Sequence, residues 1–349
     1  MEATRLGKVV PGGRARPLAS LPLLLGVALF TGLILYHGAA EVGAALAAAG
    51  AGLVLVALYH LLPIALDAIG WWCVLPAPGR PKIRTFVFAR WVGYSVNGLL
   101  PVMQIGGNVA RVRILMRGGV PGVRAVASTV VDVTTLVFSQ VLFALLGVIL
   151  LAARLGADTP AGPVLVGIAL MAALLGGFVL AQRRGFFGGL VRRFERVARV
   201  GDWLAASAEA IDAAVGELYQ RRRAMAAATA WHLASWVVGA GEVWLALRFL
   251  GRPVDLATAL LVESLGQVVR SSAFAVPGAL GVQEAGYLVL GRTVALEPET
   301  SLALSLIQRV RDLILGLPGL LAWWLEEGRG RGARQMSGVE GEVTSECRP

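Results

Sequence analysis

Charge is scarce in this sequence. Only 15% of its 349 residues are Asp, Glu, Lys or Arg, against about 25% in soluble domains, while 56% are hydrophobic. So little charge cannot cover a water-facing surface, which excludes the two or three soluble domains that the length alone would suggest. Cysteine is nearly absent as well, and Cys73 and Cys347 can build neither a disulfide framework nor a zinc site. No nucleotide-binding glycine loop, nucleophile elbow, metalloprotease helix, dithiol motif or paired aspartates of a sugar transferase occurs. No enzymatic activity and no cofactor is therefore expected.

Long apolar runs are abundant. Those able to cross about 30 Å of hydrocarbon lie at about 18–36, 53–75, 125–153, 163–182, 224–248 and 301–325. Runs of this length mean helices rather than barrel strands, so the chain reads as an all-α integral membrane protein. The first run follows Arg5, Lys8, Arg14 and Arg16. It is longer than a signal h-region of about 7–15 residues and reads as an uncleaved first span. The net charge of +10 lies mostly in the links between runs, as cytoplasmic loops require, and no nucleic-acid partner is expected. The 44 glycines suit close packing of membrane helices.

Two further stretches are apolar but broken. Residues 84–116 contain Asn97, Pro101, Gly106, Gly107 and Asn108, followed by Arg111 and Arg113. Residues 256–296 carry Glu263, Gln267 and Arg270, then break at Pro277-Gly278 and Gly281. Irregular backbone at membrane depth survives only inside protein or beside a wet cavity. The basic links 76–90, 111–124 and 183–223 and the tail share the cytoplasmic side only if both stretches enter and return. Six spans plus two re-entrant hairpins result, with both termini cytoplasmic. Residues 1–17 form a cytoplasmic tail, 18–325 the membrane domain, and 326–349 a disordered tail. Link 183–223 has apolar residues at helical spacing and reads as an amphipathic surface helix or a solvated helical loop.

The halves 53–153 and 224–325 echo each other. Tyr59-His60-Leu61 and Trp72 recur as Trp231-His232-Leu233 and Trp244 at an offset of 172. Pro101 and Gly106 recur as Pro277 and Gly281, and Thr129-x-x-Asp132 as Arg309-x-x-Asp312. The loop charges run the two units in opposite senses. An inverted repeat with broken helices at the midplane is the pattern of secondary transporters.

Ionisable groups in hydrocarbon cost at least about 2.5–3.5 kcal/mol each and call for a reason. Glu263, Gln267 and Arg270 are spaced i, i+4, i+7 and share one helix face. Arg270 is expected to meet Gln283 or Glu284 across its hairpin, and Arg309 to pair with Asp312 at i, i+3. Asp132 is the single acid of its span. Such pairs either lock helices together, or Arg111, Arg270 and the Pro-Gly turns surround a lipid headgroup. A guanidinium suits phosphate because it offers a planar bidentate fork and stays charged. His60 and His232 are expected to bond within helix packing, although His60 and Asp67 can also line one wet face.

The run Ser95 to Gly107 (SVNGLLPVMQIGG), with Arg111, Arg113 and Ala127-Ser128-Thr129-Val130-Val131-Asp132, resembles the hopanoid-biosynthesis-associated inner-membrane protein family. The block Ala275 to Glu284 (AVPGALGVQE), with Arg309 and Asp312, is similar to the same family. That family belongs to a flippase-like superfamily that includes the membrane half of lysylphosphatidylglycerol synthases, and the likeness covers about residues 20–325. It implies a bacterial inner-membrane protein that translocates lipids, linked to hopanoid or other lipid biosynthesis. It also implies a pocket at Asn97, Pro101, Gln104, Gly106, Gly107, Arg111, Pro277, Gly278, Gly281, Gln283, Glu284, Arg309 and Asp312. The burial argument adds Asp132, Glu263, Gln267 and Arg270. Relatives often carry Arg-x-x-Asp in both halves, whereas here Thr129 replaces the first Arg. The aminoacyl-transferring domain of the synthases has no counterpart, so that activity is not implied. Expected partners are membrane lipids. A non-transporting scaffold for lipid-synthesis enzymes is the alternative, and an intramembrane transferase a third.

Overall fold

The computed structural model describes residues 49–77, 79–100, 105–155, 202–273, 276 and 279–346, with isolated positions elsewhere. Among the described residues all regular structure is helical. The expected spans at 18–36 and 163–182 lie outside them. The helices are α1 (Gly52–Tyr59), α2 (Leu61–Val74), α3 (Ile83–Leu99), α4 (Ile105–Arg117) and α5 (Gly122–Leu155). After the undescribed link follow α6 (Asp202–Gln220), α7 (Arg222–Phe249), α8 (Leu256–Ser272), α9 (Val282–Thr293) and α10 (Pro298–Glu346). Two stretches, Gly52–Val74 and Gly122–Arg154, are long and apolar enough to cross a bilayer unaided. They coincide with the expected spans 53–75 and 125–153. Helices α7 and α10 cover 224–248 and 301–325 but bury Glu242 and Arg311 against neighbouring helices.

Local chemistry explains where the helices stop. Pro63 has no N–H and its ring crowds the carbonyl four residues back, so the first long helix breaks at His60 into α1 and α2. Helices α3 and α4 have 17 and 13 residues, and α8 and α9 have 17 and 12. At 1.5 Å per residue these arms measure about 18–26 Å, short of the roughly 30 Å needed to cross. Each pair folds back on itself. In the first hairpin the Gly107 N–H donates to Asn97 Oδ1 at 2.8 Å, and a side chain at Gly107 would strike the Gly93 carbonyl. In the second, Gly286 seats Val269, while Ala279 (φ 51°) and Gly281 (φ 75°) supply the left-handed backbone of the returning turn. The expected breaking residues Pro101, Pro277 and Gly278, and the expected pocket residue Gln104, lie outside the described residues. The arms around them end at Leu99 and Ser272 and resume at Ile105 and Val282.

Contacts sort the helix termini into two ends. At one end Arg113 and Arg117 pair with Glu327 at 2.7 and 2.9 Å, Arg221 donates to the Val74 carbonyl at 2.6 Å, and Gly118 lies against Pro81 and Thr85. At the other, Arg154 pairs with Asp255 at 3.1 Å, Arg252 with Glu297, and the Phe249 ring packs on Gly52. The first hairpin therefore has its base at the first end and the second hairpin at the opposite end. Their tips reach the middle of the bundle. Leu99 packs on Gly316 in α10, and Gln140, midway along α5, donates to Ser271 Oγ at 2.5 Å. Helix α6 covers the first end, with Val215 and Leu218 buried beside Ala125 and Ala127. Helix α10 continues past the expected domain boundary at 325 as far as Glu346.

A charged cavity between two hairpin tips

The two hairpin tips leave a cavity of about 660 Å³ between them. Leu99 and Leu100 from the first tip and Ala273, Val276, Ala279 and Leu280 from the second form part of its wall. The remainder comes chiefly from α2, α3, α7, α8 and α10, with Arg111 from α4, Leu136 from α5 and Gln283 from α9, and it is rich in charge.

Three polar networks hold this wall. The first centres on Asp132, which is fully buried. Its carboxylate accepts from Arg90 Nη2 at 3.2 Å, from Arg111 Nη2, and from His232 Nε2 at 3.0 Å. The His232 Nδ1 faces Asp67 Oδ1 at 2.8 Å, so the ring bridges two carboxylates. The Arg111 guanidinium also lies over the Trp71 ring, 4.1 Å from its centroid. The second network centres on Glu242, held by His60 Nδ1 at 2.6 Å and by Arg311 Nη1 at 2.5 Å. Arg311 turns its other edge to Asp312 at 2.7 Å, and Asp312 accepts the Tyr94 hydroxyl. Each histidine thus crosses from its own half of the chain to the acid cluster of the other half. The third network belongs to the second hairpin. Glu284 accepts from Arg309 Nε at 2.6 Å and Nη2 at 3.0 Å, from Ser305 Oγ at 2.9 Å and from the Gly281 N–H at 2.7 Å. Beside it, Gln308 Oε1 accepts from Arg270, Gln283 and Tyr287.

These contacts correct two expected pairs. Arg270 does not meet Glu284, because Glu284 turns back onto the start of its own helix and is filled there by Arg309. Arg309 does not pair with Asp312, because Arg311, one position away, points toward the Glu242–Asp312 side of α10. Of the residues expected in a pocket, Asn97, Arg111, Glu263, Gln267, Arg270, Gln283, Arg309 and Asp312 line the cavity. Gly107 lies in the seam between α3 and α4, Gly106 opens α4 next to it, and Gly281 caps α9. Asp132 and Glu284 sit fully buried behind the wall, anchoring its arginines.

Several wall residues were not among the expected pocket residues: Arg90, Tyr94, Trp236 and Glu242, while His60 and Asp67, named only as able to share a wet face, also line the cavity. The signal for the acids was present, since Asp67 and Glu242 are lone acids inside apolar runs. Arg90 reads from sequence as a loop charge, yet α3 begins at Ile83 and carries it inward, where it is 8% exposed.

Neither the curated proteins nor the solved structures contain a match to this chain. The family model described as the lysylphosphatidylglycerol synthase TM region matches residues 23–319, which include both hairpins and the whole described cavity wall. The chain is a membrane protein of the lysylphosphatidylglycerol synthase transmembrane-region family.

Proposed function

We propose that the protein is a lipid translocase without enzymatic activity, residing in the bacterial inner membrane and passing a phosphate-bearing headgroup through the central cavity. The observation that carries this reading is the meeting of two short hairpins from opposite ends around one charged cavity. The order of long helix, hairpin and long helix recurs in α1–α5 and α7–α10. Read as an inverted repeat, it places broken backbone and ionisable side chains at the midplane, as secondary transporters do. Membership in a family named for a phospholipid synthase's membrane region supports a lipid substrate. A link to hopanoid or other lipid biosynthesis rests on the sequence resemblance. The arginines on the wall suit a phosphate better than an uncharged ring system.

The positive-inside rule sets the orientation. The end holding Arg80, Lys82, Arg84, Arg113, Arg117, Arg124 and Arg221–Arg223 would face the cytoplasm. The other end mixes Arg154, Arg252 and Arg292 with Asp255, Glu297 and Glu299. A cysteine placed at Arg117 is expected to be shielded from an impermeant thiol reagent added outside, and one at Arg252 to react. The reverse pattern would invert the orientation, and reaction at both positions would contradict two opposed hairpins.

The alternative of a scaffold for lipid-synthesis enzymes draws on the dense pairing of Asp132 and Glu284, which could serve rigidity alone. The two readings separate on whether lipid enters the cavity. Gly239 lines it, and a Cβ built there meets nothing within 4 Å, so Gly239→Trp starts from open space and would take up cavity volume. Detergent-purified wild-type protein is expected to retain phospholipid, and Gly239→Trp to lose most of it at unchanged thermal stability. Equal retention by both proteins would favour the scaffold.

A further inference from the structure

Eight charged side chains line the cavity, and their partners divide them. Six close ion pairs with oppositely charged neighbours or with histidine: Asp67, Arg90, Arg111, Glu242, Arg309 and Asp312. The other two do not. Glu263 is held by an amide alone, accepting from Gln267 Nε2 at 2.7 Å, and Arg270 donates to the amide oxygen of Gln308. Among the described residues neither has an opposite charge within salt-bridge distance. Both lie on α8, one face, about 10 Å apart along the axis at seven residues and 1.5 Å rise each. A buried charge satisfied by a neutral amide keeps most of its field for whatever enters the cavity beside it.

The free hydrogen-bonding capacity is also asymmetric. With one Gln267 Nε2 hydrogen committed to Glu263 Oε1, the acceptors at this level, Glu263 Oε2 and Gln267 Oε1, outnumber the one remaining amide N–H. At the Arg270 level it offers the remaining N–H donors of the guanidinium fork. We infer that α8 reads a zwitterionic phospholipid headgroup carrying a primary ammonium, with Glu263 and Gln267 receiving the ammonium and Arg270 the phosphate. This rests on the translocase reading of the same cavity and names its substrate class. A primary ammonium brings three N–H donors to two acceptors and neutralises Glu263. A trimethylammonium brings none and calls for an aromatic cage instead. An anionic glycerol headgroup leaves Glu263 buried without a counter-charge.

The test uses the full-length protein in vesicles of one fixed phosphatidylcholine–phosphatidylglycerol mixture. Trace acyl-chain-labelled phosphatidylethanolamine, phosphatidylglycerol or phosphatidylcholine reports movement between leaflets. A charge-assisted contact should favour phosphatidylethanolamine about tenfold over each of the others. In Glu263→Gln this preference should fall to about one at wild-type thermal stability. Equal or faster movement of phosphatidylglycerol or phosphatidylcholine by wild-type protein overturns the inference. So does a Glu263→Gln protein that keeps the preference, including one that slows all three lipids alike, which would mark Glu263 as a proton site. The wild-type preference decides the matter even if the variant does not fold. Retention of the three lipids from an equal mixture by wild-type protein in detergent provides the second readout. If no lipid moves, the translocase reading fails, and the retention ratio judges the headgroup inference by the same criteria.

Discussion

Asp132→Ala should leave almost no folded protein in the membrane. The carboxylate is fully buried and is shared by Arg90, Arg111 and His232, drawn from three helices, so its removal strands two arginines at once and takes from His232 one of its two carboxylates. Removing one partner of a single buried ion pair costs about 3–5 kcal/mol, a large part of the 5–15 kcal/mol by which ordinary domains are stable. Asp132→Asn should fare little better, because the amide restores shape but not charge and adds donors facing donors. The control is Arg113→Ala, whose side chain is 56% exposed beside Glu327 and should cost about 0–1 kcal/mol. Accumulation and thermal unfolding of the purified proteins separate these cases. Wild-type accumulation and stability in Asp132→Ala would show that the cluster does not hold the two halves together.

Arg270 should behave in the opposite way, with folding preserved and lipid movement lost. Its partner is the Gln308 amide, which stays satisfied by Gln283 and Tyr287 when Arg270 is changed. Arg270→Lys keeps the charge and loses the bidentate fork. If Arg270 holds the phosphate, losing charge-assisted hydrogen bonds worth about 1.5–3 kcal/mol slows transbilayer movement by about ten- to a hundredfold. Arg270→Ala should slow it further, with thermal stability within about 1 kcal/mol of wild type because no ion pair is broken. Arg309→Ala, by contrast, strips buried Glu284 of its counter-charge and should fail by unfolding. Wild-type rates in both Arg270 variants would remove Arg270 from the headgroup path.

The contrast between these residues shows what could be read from sequence. The hairpins were legible because Pro101 and Pro277 interrupt apolar stretches, and because basic residues such as Arg117 and Arg221 had to share one side. The structure seats Arg117 on Glu327 and Arg221 on the end of α2, both at the same end. The membership of many wall residues was legible too, since Glu263, Gln267 and Arg270 had to share one face of α8. Pairing was not legible. The i, i+3 rule favoured Arg309 with Asp312, but it describes an isolated helix, and α10 carries these residues into contact with other helices. There Arg309 finds Glu284 on α9, while Asp312 is met by its chain neighbour Arg311 and by Tyr94 on α3. The cross-half contacts of His60 and His232 were equally hidden, because nothing local to either residue shows which acid the opposite half will deliver.

The central claim is that lipid headgroups pass through the cavity where the hairpin tips meet. It is tested most directly by transbilayer movement of acyl-chain-labelled phospholipid in proteoliposomes, comparing wild-type protein with Gly98→Trp and Gly239→Trp. Both glycines line the cavity, and neither has an atom within 4 Å of an added Cβ. The account predicts movement well above that in protein-free vesicles for the wild type, and movement at the protein-free rate for both filled variants at unchanged thermal stability. Wild-type protein that moves no lipid, or filled variants that move it at the wild-type rate, would contradict it.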